Sequence, residues 1–128
     1  KGMSAAAQIV KAGGTIIMAA ECCDGIPSES DYETILTSAN SVNDLMKFIK
    51  ENESTLKDTW QIYYQALIQQ KANVYIFSDQ LDDETIKRAL FNPVNDISSL
   101  IDKLVSRIGP QAKICILPEG PQTIPYLK

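Results

Sequence analysis

Residues 13–25, Gly13-Gly14-Thr15-Ile16-Ile17-Met18-Ala19-Ala20-Glu21-Cys22-Cys23-Asp24-Gly25, restrict the folds open to this chain more than any other stretch. A glycine pair frees the backbone for positive φ, the residues from Thr15 to Ala20 are small or apolar without alternation, and the run ends at an acid, two thiols and Asp-Gly. A strand of this kind is expected to be covered on both faces, at the centre of a parallel sheet between helices. Open sheets of that class gather ligands beyond the carboxyl ends of their strands, which makes the loop Glu21–Gly25 a candidate binding loop.

The rest of the chain alternates helical and strand patterns around that segment. Met3, Ala6, Ala7 and Val10 recur at helical spacing before the stop at Ala12-Gly13-Gly14. Ser30 with Glu33, and Ser41 with Asp44, open two helices, the second with Val42, Leu45, Met46 and Ile49 on one face. From Leu56 to Lys71, Trp60, Tyr63, Tyr64, Leu67 and Ile68 form an expected apolar face, and Gln61, Gln65, Gln69 and Gln70 an expected polar one. Val74–Phe77 reads as the second strand, and Asp82-Asp83-Glu84 opens a helix that Asn92-Pro93 breaks. Ile97, Leu100, Ile101, Leu104, Val105 and Ile108 give the cleanest helical period, closed by Gly109-Pro110. Lys113–Leu117 reads as the third strand, and Thr123-Ile124 as either a short fourth edge strand or ordered coil.

The order implies a single α/β domain over residues 1–128. It is expected to be a three-layer sandwich with a small, mostly parallel sheet of three strands, the first strand central. A crevice then falls between the loops after strands one and three, placing Glu21, Asp24 and Gly25 opposite Glu119 and Gly120. Carboxylates and glycines there suit a hydroxyl, an amine or a partner's basic side chain, and they equally suit plain turns with solvated acids. The pair Gly13-Gly14 precedes a strand, whereas a phosphate cradle needs glycines before a helix, so no nucleotide fingerprint exists.

Composition narrows the chemistry. Twelve Lys and Arg against 16 Asp and Glu, for a net charge of -4, disfavour nucleic acid and anionic membrane surfaces. The chain has no histidine, which removes imidazole acid/base chemistry and His-ligated metals from it. Three cysteines without a Cys-x-x-Cys spacing suit a reducing cytoplasm. The beginning Lys-Gly-Met, in place of a start methionine, suggests a piece of a longer polypeptide.

Taken in order, Lys1-Gly2-Met3, Gly13-Gly14-Thr15-Ile16-Ile17-Met18, Glu21-Cys22-Cys23-Asp24-Gly25, Trp60-Gln61 and Leu117-Pro118-Glu119-Gly120 with Thr123-Ile124-Pro125 resemble the C-terminal domain of the nickel-pincer lactate racemase family. The resemblance covers essentially the whole chain. It implies a two-domain cytoplasmic enzyme that racemises or epimerises a 2-hydroxy acid by reversible hydride transfer to a nickel pincer nucleotide between the domains. It also implies that the metal-binding histidine, the pincer-carrying lysine and the acid/base histidines lie in the N-terminal domain. This chain would then hold no metal and no catalytic residue, and would be inactive alone. By the same resemblance Lys1 and Trp60 face the substrate, Lys1 toward its carboxylate and Trp60 as an apolar wall. The loop departs from the family pattern at Gly25, which Ile26-Pro27 follows where relatives often carry a histidine. Read from the residues alone, Trp60 keeps a second role as a core side chain. A non-catalytic binding or assembly module that contacts a protein partner is the alternative for the whole chain.

Overall fold

The computed structural model describes residues 1–27, 30–52 and 59–126. Its elements are α1 (Gly2–Ile9), β1 (Gly14–Ala19), α2 (Asp31–Thr37), α3 (Val42–Asn52), α4 (Thr59–Lys71), β2 (Ala72–Phe77), α5 (Asp83–Arg88), β3 (Asn92–Pro93), α6 (Ile97–Ile108) and a 3-10 turn, Gly120–Gln122. Residues 28–29, expected in the approach to α2, and 56–58, expected at the start of α4, lie outside the described residues.

Helices begin where short polar side chains satisfy the free N–H groups of a first turn. The Ser30 hydroxyl accepts from the Glu33 N–H at 3.1 Å, and the Ser41 hydroxyl from the Asp44 N–H at 3.1 Å. Asp82 accepts from the Thr85 N–H at 2.6 Å, and Asp96 from the Ser99 N–H at 3.0 Å. These backbone hydrogen bonds hold both aspartates below the ordinary value of 3.8. Their contribution to stability is therefore present above that value and is lost as the pH falls through the lowered ones.

The sheet is parallel, as expected, but its order differs. β1 pairs with β2 in register from Gly14 opposite Ala72 to Ala19 opposite Phe77, and β2 pairs with β3 through Tyr75–Asn92 and Ile76–Pro93. The order β1-β2-β3 makes the second strand central and places the first strand, expected at the centre, on an edge. The third strand is Asn92–Pro93, read from sequence as a helix break, while Lys113–Leu117 joins no ladder. Proline cannot donate to a ladder and sits at edges, which keeps β3 to two residues. The tail residues Thr123-Ile124 are coil, so no fourth strand forms among the described residues.

Burial follows from this order. Ile16, Val74 and Ala72 are buried with Ile68 of α4, and Met3, Ala6, Ala7 and Val10 of α1 close the same cluster. On the opposite face Ile17, Tyr75 and Phe77 are only half-buried and Asn73 is exposed, so β1 is not enclosed on both sides. The second covering layer of the expected sandwich is thus incomplete among the described residues. A second cluster joins Ile35 and Leu36 of α2, Leu45 and Ile49 of α3, Ile62 and Ala66 of α4, and Ala89.

Helix α4 is turned partly away from the face its sequence suggests: Ile68 is buried and Gln61 and Gln70 are exposed as expected, but the aromatic residues are not inward. Gln65 is 3% exposed, whereas Trp60, Tyr63, Tyr64 and Leu67 are all exposed. The Gln65 amide accepts from the Tyr32 hydroxyl at 2.9 Å and donates to the Ala89 carbonyl at 2.8 Å, while Gln69 donates to the Leu90 carbonyl. Burying an amide is tolerable only when its bonds are made, and here they are.

Burial pushes the Tyr32 phenol above its ordinary value of 10.0. The folded state keeps its proton where the unfolded chain loses it, so this contribution holds below pH 10 and disappears as pH climbs through the raised value. Tyr32→Phe should cost about 1 kcal/mol at neutral pH, read by urea denaturation, because Gln65 loses a donor. The same variant should flatten the decline in stability expected at alkaline pH.

Candidate functional site

Helices α1 and α4 lead into β1 and β2 through short connections, α4 with no residue between. Each packs back against its own strand, so both N-termini lie at the carboxyl end of the sheet. For α1 this is visible in Gly2, where an added Cβ would stand 2.7 Å from Met18 Cε and 3.7 Å from Pro121 Cδ. For α4, Gln61 and Ile76 at the end of β2 line one cavity.

Lys1 is exposed, and its carbonyl accepts the Ala5 N–H at 3.1 Å to start α1. A Cβ on Gly120 would lie 3.4 Å from Gly2 Cα, which brings the Glu119-Gly120 turn beside Lys1. The first turn of α1, and not a neighbouring third strand, thus carries this turn toward the end of β1.

The loop after β1 is held by Ser78, whose hydroxyl donates to the Glu21 carbonyl at 2.6 Å. The Gly25 N–H donates to the Cys22 carbonyl at 2.9 Å, with Cys22 at φ 54° and Gly25 at φ 64°. Glu21, Asp24 and Gly25 are exposed. Behind this loop lies a cavity of about 660 Å³, bordered by Cys22, Gly25, Ile26, Tyr32, Gln61 and Phe91 among others. Gly25 alone of the seven expected site residues lines it. Lys1 and Glu119-Gly120 form a separate group, and Trp60, 62% exposed, stands at the start of α4 next to Gln61. Its exposure removes the core reading of that indole.

Gln61, Tyr32 and Phe91 border the cavity without having been singled out as site residues. For Gln61 a signal was present, since it adjoins Trp60 in the first turn of a helix that runs straight into a strand. Nothing local distinguishes Tyr32 or Phe91. Among the described residues no three His, Cys, Asp or Glu side chains converge as a metal site.

These features define an α/β domain that brings Lys1, Trp60 and the loop after β1 to the carboxyl end of a parallel sheet. The profile of the lactate racemase C-terminal domain matches residues 1–124, and the chain belongs to that family. It is 30% identical over 125 residues to the lactate racemase of Thermoanaerobacterium thermosaccharolyticum, covering 97% of this chain and 29% of that protein. To the lactate racemase of Lactiplantibacillus plantarum it is 30% identical over 125 residues, covering 94% of this chain and 28% of that protein. The structure of the lactate racemase apoprotein from T. thermosaccharolyticum superimposes with a TM-score of 0.80 at 30% identity, over 94% of this chain and 29% of that one. The chain thus spans less than a third of the length of these relatives.

The loop geometry is testable. A Cβ at Gly25 would meet nothing within 4 Å, so Gly25→Ala should cost only left-handed backbone strain, about 1–2 kcal/mol in thermal unfolding. Gly2→Ala should perturb the fold less than its 2.7 Å contact suggests, because the atom in the way is the end of the flexible Met18 side chain.

Proposed function

We propose that this chain is the substrate-side domain of a 2-hydroxy-acid racemase or epimerase, inactive without the domain that precedes the matched region in its relatives. The observation that supports this most directly is the grouping of Lys1 with the Glu119-Gly120 turn at the carboxyl end of β1, in a chain of the lactate racemase C-terminal domain family. The Lys1 ammonium pairs with the substrate carboxylate through charge-assisted hydrogen bonds. Trp60, exposed at the same end of the sheet, forms an apolar wall that orients the substrate and keeps water from it.

The parent enzyme, on this reading, uses a nickel pincer nucleotide, which supplies the hydride chemistry when bound. This chain's residues do not fit as its holder: it has no histidine, and its described acids and thiols do not converge. Its own part is to bind, orient and exclude solvent. The free Cys22, Cys23 and Cys115 suit a cytoplasmic setting. Among the described residues no helix is long and apolar enough to cross a membrane.

The full-length protein loaded with nickel pincer should interconvert the enantiomers of a 2-hydroxy acid, followed by chiral chromatography, while the 128-residue chain alone should not. Lys1→Ala in the full-length protein should raise KM by about ten- to a hundredfold, the loss of one charged hydrogen bond. Turnover by the short chain would refute the division of labour, and silence from both proteins would refute the activity. A second reading, a non-catalytic module for a protein partner, draws support from the exposed stripe of Trp60, Tyr63, Tyr64 and Leu67. It requires no turnover, and a Trp60 emission that shifts to the blue when the partner binds.

A further inference from the structure

Helix α6 and the residues after it carry the pattern of contact surfaces, yet they bury little within the described domain. Six apolar residues from Ile97 to Ile108 share one face of α6, but none of its residues is buried, and Val105 and Ile108 are 36% and 46% exposed. Beyond Gly109, Lys113–Leu117 has the composition of a strand and joins no ladder, with Ile114 and Ile116 at 61% and 78% exposure. Scattered apolar residues are ordinary on a monomer surface. A helix face no better than half-buried along its length, exposed at Val105 and Ile108 and joined to an unpaired strand-forming run, is not.

The foot of this arm indicates what covers it. After residue 117 the chain turns through Glu119-Gly120 and closes on Gly2, so the arm ends beside the first turn of α1. This chain matches the C-terminal domain of the family and spans 29% of a relative's length. The rest of such a protein precedes the matched region, which starts at residue 1, next to the arm's foot. A partner tethered there reaches an effective concentration in roughly the millimolar range, which a second copy in dilute solution does not.

We propose that α6 and residues 113–117 form an arm that closes on the preceding domain of the same polypeptide. The apolar face of α6 packs against that domain, and Lys113–Leu117 pairs with it as a strand. This rests on the reading of the chain as the C-terminal part of a larger protein, and not on that protein's chemistry.

Cys115, a free and exposed thiol within the arm, is a native reporter. In the full-length protein, maleimide labelling of Cys115 and amide exchange over residues 113–117 are followed by mass spectrometry, natively and in denaturant. The docked arm should slow Cys115 labelling by about tenfold or more relative to the denatured protein, at every protein concentration, with the amides protected. Ile116→Lys should restore fast labelling with the circular dichroism spectrum unchanged. Native labelling as fast as denatured overturns the proposal. Protection that disappears on dilution assigns the surface to a second copy and overturns it too. Racemisation is assayed on the same samples: a protected Cys115 in a protein without turnover upholds the arm and sinks the functional reading, and the converse result does the reverse.

Discussion

Helix α4 is the element on which both apolar cores close. Ile62 and Ala66 belong to the cluster with α2 and α3, and Ile68 to the cluster with the sheet and α1. A helix buried on so much of its circumference needs its polar groups satisfied in place. Gln65 and Gln69 meet that need by donating to the carbonyls of Ala89 and Leu90, where the chain leaves α5 with Leu90 at φ 62°. At the other end of the helix the Lys71 ammonium donates to the Ala7 carbonyl at 2.6 Å, and its carbonyl accepts from Gly13 at 2.8 Å. The amides thus position the segment that becomes β3, and the lysine ties α4 to α1.

That arrangement explains where Lys1, Trp60 and the loop after β1 fall. Because α1 and α4 run back along the strands they precede, Lys1 and Trp60 are delivered to the carboxyl end of the sheet together with the loop after β1. The turn at Glu119-Gly120 reaches the same end, with Gly120 packed close to the Gly2 backbone. The direction of the two helices and the close approach of Gly2 to Gly120 therefore bring together residues from both ends of the sequence.

Much of the local structure was legible in the residues. The caps at Ser30, Ser41 and Asp82 and the period of α6 are interactions within a few positions, and they occur where the pattern places them. The strand Gly14–Ala19 was equally readable, as was the turn at Asp24-Gly25 that follows it. The likeness carried by Lys1-Gly2-Met3, Trp60-Gln61 and Pro118-Glu119-Gly120 led to the family that the comparisons show. The faces of α4 were legible only in part: Ile68 is buried and Gln61 and Gln70 exposed as the pattern places them, but hydrophobicity alone assigns the aromatics inward and Gln65 outward. Three available carbonyl and hydroxyl partners decide otherwise, and these come from α2 and the end of α5.

By itself, the sequence determined the helices, the first two strands, and that the strands run parallel with long connections between them, since periodicity and capping are local properties of the chain. Only the tertiary structure decided which strand stands in the middle. Asn92 reaches β2 because its side chain donates to the Val74 carbonyl at 2.9 Å and its backbone pairs with Tyr75, whereas Lys113–Leu117, the better strand by composition, is carried away by α6. A ladder needs a partner at hydrogen-bonding distance, and the partner is chosen by the packing of distant elements, which no local pattern encodes.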